Sequence, residues 1–173
     1  MLGKQLAAML AATAFAVPAY AQEEAEGKNF HAENYAGISV TRLTAAPSTN
    51  GAAVMFGRRY SEHLAAEVGY ENSSALSSGS EKTTALSVAV VGIQPFTADL
   101  EGYVRLGYAS AHTQDAAGAT ANHGDLTYGV GVEYRLDEKY SLGFGYDSLR
   151  IGDNVNIPRA SENSYGLTLI RSF

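Results

Sequence analysis

From Tyr35 onward, apolar side chains recur at every second position over stretches of nine to thirteen residues, with turn-forming residues between the stretches. The pattern predicts strands over Tyr35–Ala45, Ala52–Tyr60, Leu64–Asn72, Thr83–Gln94, Leu100–His112, Asp125–Leu136, Tyr140–Gly152 and Ser161–Phe173. The alternation is cleanest in the sixth, where Leu126, Tyr128, Val130, Val132, Tyr134 and Leu136 interleave with Thr127, Gly129, Gly131, Glu133 and Arg135. The seventh sets Tyr140, Leu142, Phe144 and Tyr146 against Ser141, Gly143, Gly145 and Asp147. The third and fifth behave likewise; the first, second and fourth are less regular, with Arg42 and Arg58 on the apolar face.

Connection lengths alternate as well. Ser61–His63, Phe96–Asp99 and Asp137–Lys139 read as tight turns. Ala46–Gly51, Ser73–Lys82, Thr113–Gly124 and Asp153–Ala160 read as longer loops. Eight such strands, each near the ~9–11 residues that cross a bilayer at a tilt, predict an all-β fold: an eight-stranded antiparallel up-and-down transmembrane β-barrel over residues 34–173. The short turns then face the periplasm and the loops face outward. A soluble ligand-binding barrel shows the same alternation with its apolar face turned inward. Glycines crowding one face suit a narrow lumen, and tyrosines at strand ends suit the membrane interface, which favours the membrane barrel.

The first residues agree with that destination. Lys4 precedes an apolar, alanine-rich stretch from Leu6 that closes on Ala19-Tyr20-Ala21. This layout predicts a secretory signal over residues 1–21, cleaved after Ala21, and it is too short to span a membrane. Residues 22–33 are polar and acidic and read as a periplasmic N-terminal arm. Without the signal, 11 Lys and Arg stand against 18 Asp and Glu, which argues against nucleic acid as a partner. Cysteine is absent, so neither disulfides nor thiolate metal sites are available. Mean hydropathy of −0.11 fits strands that turn one face to lipid and one to a polar interior.

Several segments resemble a known family. Pro95-Phe-Thr-Ala-Asp-Leu-Glu-Gly-Tyr-Val-Arg-Leu-Gly107 resembles the turn and fifth strand of the OmpA transmembrane domain. Gly131-Val-Glu-Tyr134, the Asp137-Glu-Lys139 turn, Ile151-Gly-Asp153, Pro158-Arg159 and the last strand fit the same pattern. The similarity runs from about Thr83 to Phe173, with Glu67-Val-Gly-Tyr70 as the best match before it. The resemblance implies a small outer-membrane barrel of the OmpA, OmpX and opacity-protein type, in the opacity-like porin superfamily. It does not extend to the peptidoglycan-binding domain of full-length OmpA. Members of this type hold a lumen arginine on the seventh strand in a cluster linked to gating. Gly143 stands at that position here, so the resemblance does not carry a gated channel with it.

The inward face predicts a lumen charge network of Arg59, Glu67, Glu71, Glu101, Arg105, Glu133, Arg135 and Asp147. In so narrow a barrel these groups are expected to pair across the lumen and plug it with ion pairs and water rather than conduct. Arg59, Arg105 and Arg135 are all candidate partners of Glu133. Tyr165, Leu167, Leu169 and Phe173 alternate at the end of the chain and resemble the C-terminal signal read by the barrel-assembly machinery; Arg171 departs from it.

Enzyme chemistry rests on Ser110-x-His112, with Asp115 nearby. Eight-stranded lipid A deacylases resemble this in placing a His and a Ser on a lipid-facing strand, although the order here is reversed. His31, His63 and His123 lack metal-ligand spacing, and Gly129-x-Gly131 and Gly143-x-Gly145 open no helix to bind phosphate. The expectation is therefore a non-enzymatic protein without cofactor. It would anchor surface loops and contribute to envelope integrity or surface interaction, with outer-membrane lipid, lipopolysaccharide, the assembly machinery and an unidentified surface ligand as partners. A lipid A-modifying acyl hydrolase and a narrow low-conductance pore are the alternatives.

Overall fold

A strand in hydrocarbon must satisfy every backbone N–H and C=O without water, so a sheet that spans a membrane has to close on itself. The computed structural model describes residues 32–43, 49–74, 82–114, 120–151 and 160–173, and in them the sheet closes. Among these residues eight strands follow one another: β1 (Glu33–Leu43), β2 (Thr49–Ser61), β3 (Leu64–Ser74), β4 (Lys82–Pro95), β5 (Leu100–Gln114), β6 (Thr120–Arg135), β7 (Tyr140–Ile151) and β8 (Ala160–Ser172). Each pairs antiparallel with the next, and β8 returns to β1. The seam is finished by reciprocal backbone hydrogen bonds between Asn34 and Phe173, at 3.2 and 2.9 Å. The signal over residues 1–21 and nearly all of the arm lie outside the described residues, as do the central parts of the four loops. Glu33, expected to end the arm, instead opens β1 opposite Arg59.

The strands match the expected ones but run further toward the loops, β2 from Thr49, β3 to Ser74 and β4 from Lys82, and the largest difference is between β5 and β6. Thr113–Gly124 was expected to be a loop, yet β5 runs on to Gln114 and β6 begins at Thr120, with Ala111 opposite His123 and Gln114 opposite Thr120. The ladder is made of backbone groups and continues without apolar side chains. The period-two signal fades where strands leave the hydrocarbon, so the sequence pattern stops before the hairpin does.

Alternation sorts the side chains as the period predicts. Val54, Leu106, Leu126, Val130, Phe144 and Leu167 point outward and are exposed on the barrel surface. Inside, β4 presents an uncharged, mostly small wall of Thr83, Ala85, Ser87, Ala89 and Val91. The interior charges come from β1, β2, β3, β5, β6 and β7. Rings mark the ends of the outer face. Tyr60, Phe96, Tyr134, Tyr140 and Phe173 lie toward the short turns, and Tyr70, Tyr128, Tyr146 and Tyr165 toward the loops. These are the positions at which an aromatic girdle meets the interface.

Candidate functional site: the lumen

Position along each strand decides which interior charges meet. Arg105, from the middle of β5, is the central cation. Its Nε donates to Glu67 Oε2 at 2.7 Å and its Nη1 to Asp147 Oδ1 at 3.0 Å, tying β5 to β3 and β7. The Tyr35 hydroxyl, from β1, donates to the other Glu67 oxygen at 2.8 Å. The guanidinium carbon of Arg105 lies 5.2 Å from the Tyr103 ring centroid, close enough for a cation–π contact. Five residues on four strands thus form one layer across the lumen.

Two rings in that layer need glycines opposite them. A Cβ at Gly57 would run into the Tyr35 ring, and one at Gly131 or Gly145 into the Tyr103 hydroxyl. The glycine-rich face of β6 and β7 is therefore a bed for an inward tyrosine.

Toward the short turns, Arg59 grips Glu101 with two nitrogens, at 3.1 and 3.0 Å. The same guanidinium donates to the carbonyls of Ser61 and Glu62, which fixes the β2–β3 turn to the lumen. The bidentate geometry is the strong form of this pair, and both side chains are largely buried. Toward the loops the chemistry changes. Glu71 accepts a hydrogen bond from the Thr41 hydroxyl at 2.9 Å, with no cation in ion-pair range among the described residues.

Cavities lie on either side of the Arg105 layer. One of about 130 Å³ on the loop side is lined by Ser39, Thr41, Glu71, Ser87, Thr127 and Ser164. Another of about 50 Å³ on the turn side is lined by Glu33, Arg59, Glu101, Glu133 and Ile170. Both reach Met55, Glu67, Tyr103, Arg105 and Thr168, so these residues form the partition between them. Both spaces present polar groups and are large enough for water.

Of the eight charges expected in the lumen, Arg59, Glu67, Glu71, Glu101, Arg105, Glu133 and Asp147 line it. Arg135 does not join them. Its side chain is exposed at the turn-side mouth, because β6 ends there. Glu133 hydrogen-bonds Ser141. The ion pairs among the described residues leave it outside pairing range of Arg59, Arg105 and Arg135, which corrects the expected arginine partner. With Glu33, which joins the turn-side lining from β1, two lumen arginines therefore face six carboxylates, and hydroxyls and water must serve the surplus. Sequence reading missed Tyr35, Thr41 and Ser141 as partners. Their inward parity was legible, but the cross-strand register that puts them beside carboxylates was not.

On the outer face, Ser110 and His112 share β5 as expected, and both are exposed. His112 Nδ1 lies 2.8 Å from Asn122 Oδ1, while Asp115 lies outside the described residues. Among the described residues no group of three or more His, Asp or Glu is arranged to hold a metal ion.

A family model for the outer membrane protein beta-barrel domain matches residues 7–173. The chain belongs to that family. The protein is accordingly an outer-membrane β-barrel. No curated protein matches it. Among solved structures it is similar to the Neisserial surface protein A, NspA, with TM-score 0.63 and 16% identity over 82% of this chain and 97% of that one. It is also similar to the N-terminal β-barrel domain of Pseudomonas aeruginosa OprF, with TM-score 0.62 and 14% identity over 83% and 100%. The outer membrane enzyme PagL has TM-score 0.51 and 14% identity over 78% and 97%. At these identities the likeness is one of fold.

Proposed function

We propose that this barrel is a non-enzymatic anchor whose lumen is a structural plug. Its rigid wall holds the loop-side connections at the cell surface, contributing to envelope integrity or surface interaction. The observation that carries this reading is the Arg105 layer, in which one guanidinium bridges Glu67 and Asp147 between two polar cavities. An ion crossing there would have to break charge-assisted hydrogen bonds, and the lumen is only as wide as its side chains. On this reading residues 1–21 direct export with cleavage after Ala21. Tyr165, Leu167, Leu169 and Phe173 engage the assembly machinery, and lipid and lipopolysaccharide surround the product.

The test is conductance in planar bilayers, with protein shown to be folded by its faster migration before boiling. The expected outcome is no steady current. Stable ohmic channels from the unmodified protein would make the pore the leading reading.

A second reading has one observation in its favour. His112, held by Asn122, shares an outward face with Ser110, as an acyl hydrolase acting on a membrane lipid would require. No hydrogen bond joins Ser110 to His112 among the described residues, which leaves this reading second. Mass spectrometry of lipid A from cells with and without the protein decides it, since a lost acyl chain would establish the hydrolase.

A further inference from the structure

Charge on the lipid-facing surface is costly at mid-membrane and tolerated near the interfaces, and Arg58 and Arg171 both emerge from that surface, exposed. Both stand at the short-turn end. Along one row of the outer face Tyr140 on β7, Arg171 on β8, Ala36 on β1 and Phe56 on β2 are successive register partners. In the next row toward the turns, Phe173 neighbours Asn34, which is opposite Arg58. The two arginines thus flank β1, about 10 Å apart sideways and about 7 Å along the strand. Arginine side chains are long enough to converge from there on one headgroup.

The surroundings are shaped for a lipid. Arg58 lies over the Tyr60 ring, 5.8 Å from its centroid, so its guanidinium is directed toward the turn-side interface. Between the arginines the Phe56 and Phe173 rings meet at 6.1 Å over β1, a tilted apolar pair against which acyl chains can lie. Neither arginine has an ion pair among the described residues, whereas Arg59, the next residue on β2, points inward and is fully engaged. The charge on this strip is therefore uncompensated by the protein. A guanidinium at a hydrocarbon boundary turns its head into the interface, where lipid phosphates are the anions within its reach.

We propose that Arg58 and Arg171, backed by Tyr60, Tyr140 and the Phe56–Phe173 pair, form a binding site for the phosphate headgroup of an anionic glycerophospholipid. The occupant follows from the end of the barrel concerned. Short turns face the periplasm, and the leaflet on that side is built of glycerophospholipids rather than lipopolysaccharide. Anionic headgroups fit better than zwitterionic ones, because they present no cation of their own to the guanidinium pair.

The test is native mass spectrometry of the folded barrel in detergent, titrated separately with phosphatidylglycerol, phosphatidylcholine, lipid A and inorganic phosphate. Phosphatidylglycerol is expected to be retained best. Arg58→Gln and Arg171→Gln are each expected to weaken it about fivefold, and the double variant about twenty-fivefold. Arg42→Gln, an exposed arginine near the loop end, should leave it unchanged. Heat-modifiable migration establishes that each variant is folded, and the single variants carry the test if the double one does not fold. Equal retention of phosphatidylglycerol by wild type and single variants would overturn the site. So would equal retention of phosphatidylcholine, preferential retention of lipid A through the same arginines, or displacement of the lipid by inorganic phosphate.

Discussion

The two halves of the lumen are built of the same strands but held by different chemistry. On the turn side and at mid-height, every arginine in the lumen is engaged: Arg59 with Glu101, and Arg105 with Glu67 and Asp147. On the loop side, Glu71 has a threonine hydroxyl and a cavity of about 130 Å³. Ion pairs fix geometry, because removing one partner leaves a desolvated charge behind. A carboxylate served by one hydroxyl and water can be neutralised or hydrated at small cost. The turn side should therefore behave as the rigid base of the barrel, and the loop side as a hydrated cup beneath the surface loops.

The contrast can be broken most severely at the central layer. Replacing Glu67 with Ala removes one partner of the Arg105 guanidinium and the acceptor of the Tyr35 hydroxyl together. The expected loss is about 3 kcal/mol, read as a lower urea midpoint for the barrel refolded in lipid vesicles. A change below the error of extrapolation would mean that water already carries the charge of Arg105, and the base would not differ from the cup.

A smaller effect is expected at the seam on the same side. Deleting Phe173 removes its two backbone hydrogen bonds to Asn34 and its ring contact with Phe56, at about 1 kcal/mol per hydrogen bond. It should also lower the amount assembled in the outer membrane, measured by fractionation against a periplasmic marker. Stability that falls while assembly stays normal would assign Phe173 to closing the barrel and not to the assembly signal.

The smallest change should come from the carboxylates served by hydroxyls. Glu71→Gln keeps an acceptor for Thr41 and removes an unpaired charge, so the urea midpoint should move by less than about 0.5 kcal/mol in equivalent stability, in either direction. Glu133→Ala should fall well below Glu67→Ala, because it strands no arginine at pairing distance. If Glu133→Ala proved as damaging as Glu67→Ala, the turn side would depend on its summed charge and not on its individual pairs.

The strands and the parity of their two faces were legible in the period of the chain, and the glycines on one face and the tyrosines at strand ends said which face turns inward. Val130 and Gly131 point opposite ways on any strand, and only closure satisfies eight such strands in a membrane. The short turns were legible for the same local reason, since Asp137 accepts backbone hydrogen bonds from Lys139 and Tyr140 within its own turn. What the tertiary structure decided was stagger. Parity places Glu133 and Arg135 on one face. Yet the stagger between strands carries Arg135 out at the mouth and gives Glu133 a serine, while Arg105 reaches across to β3 and β7. The reason is physical: a period of two is a property of one strand, whereas the partner of a lumen charge depends on how far each strand is shifted along seven others.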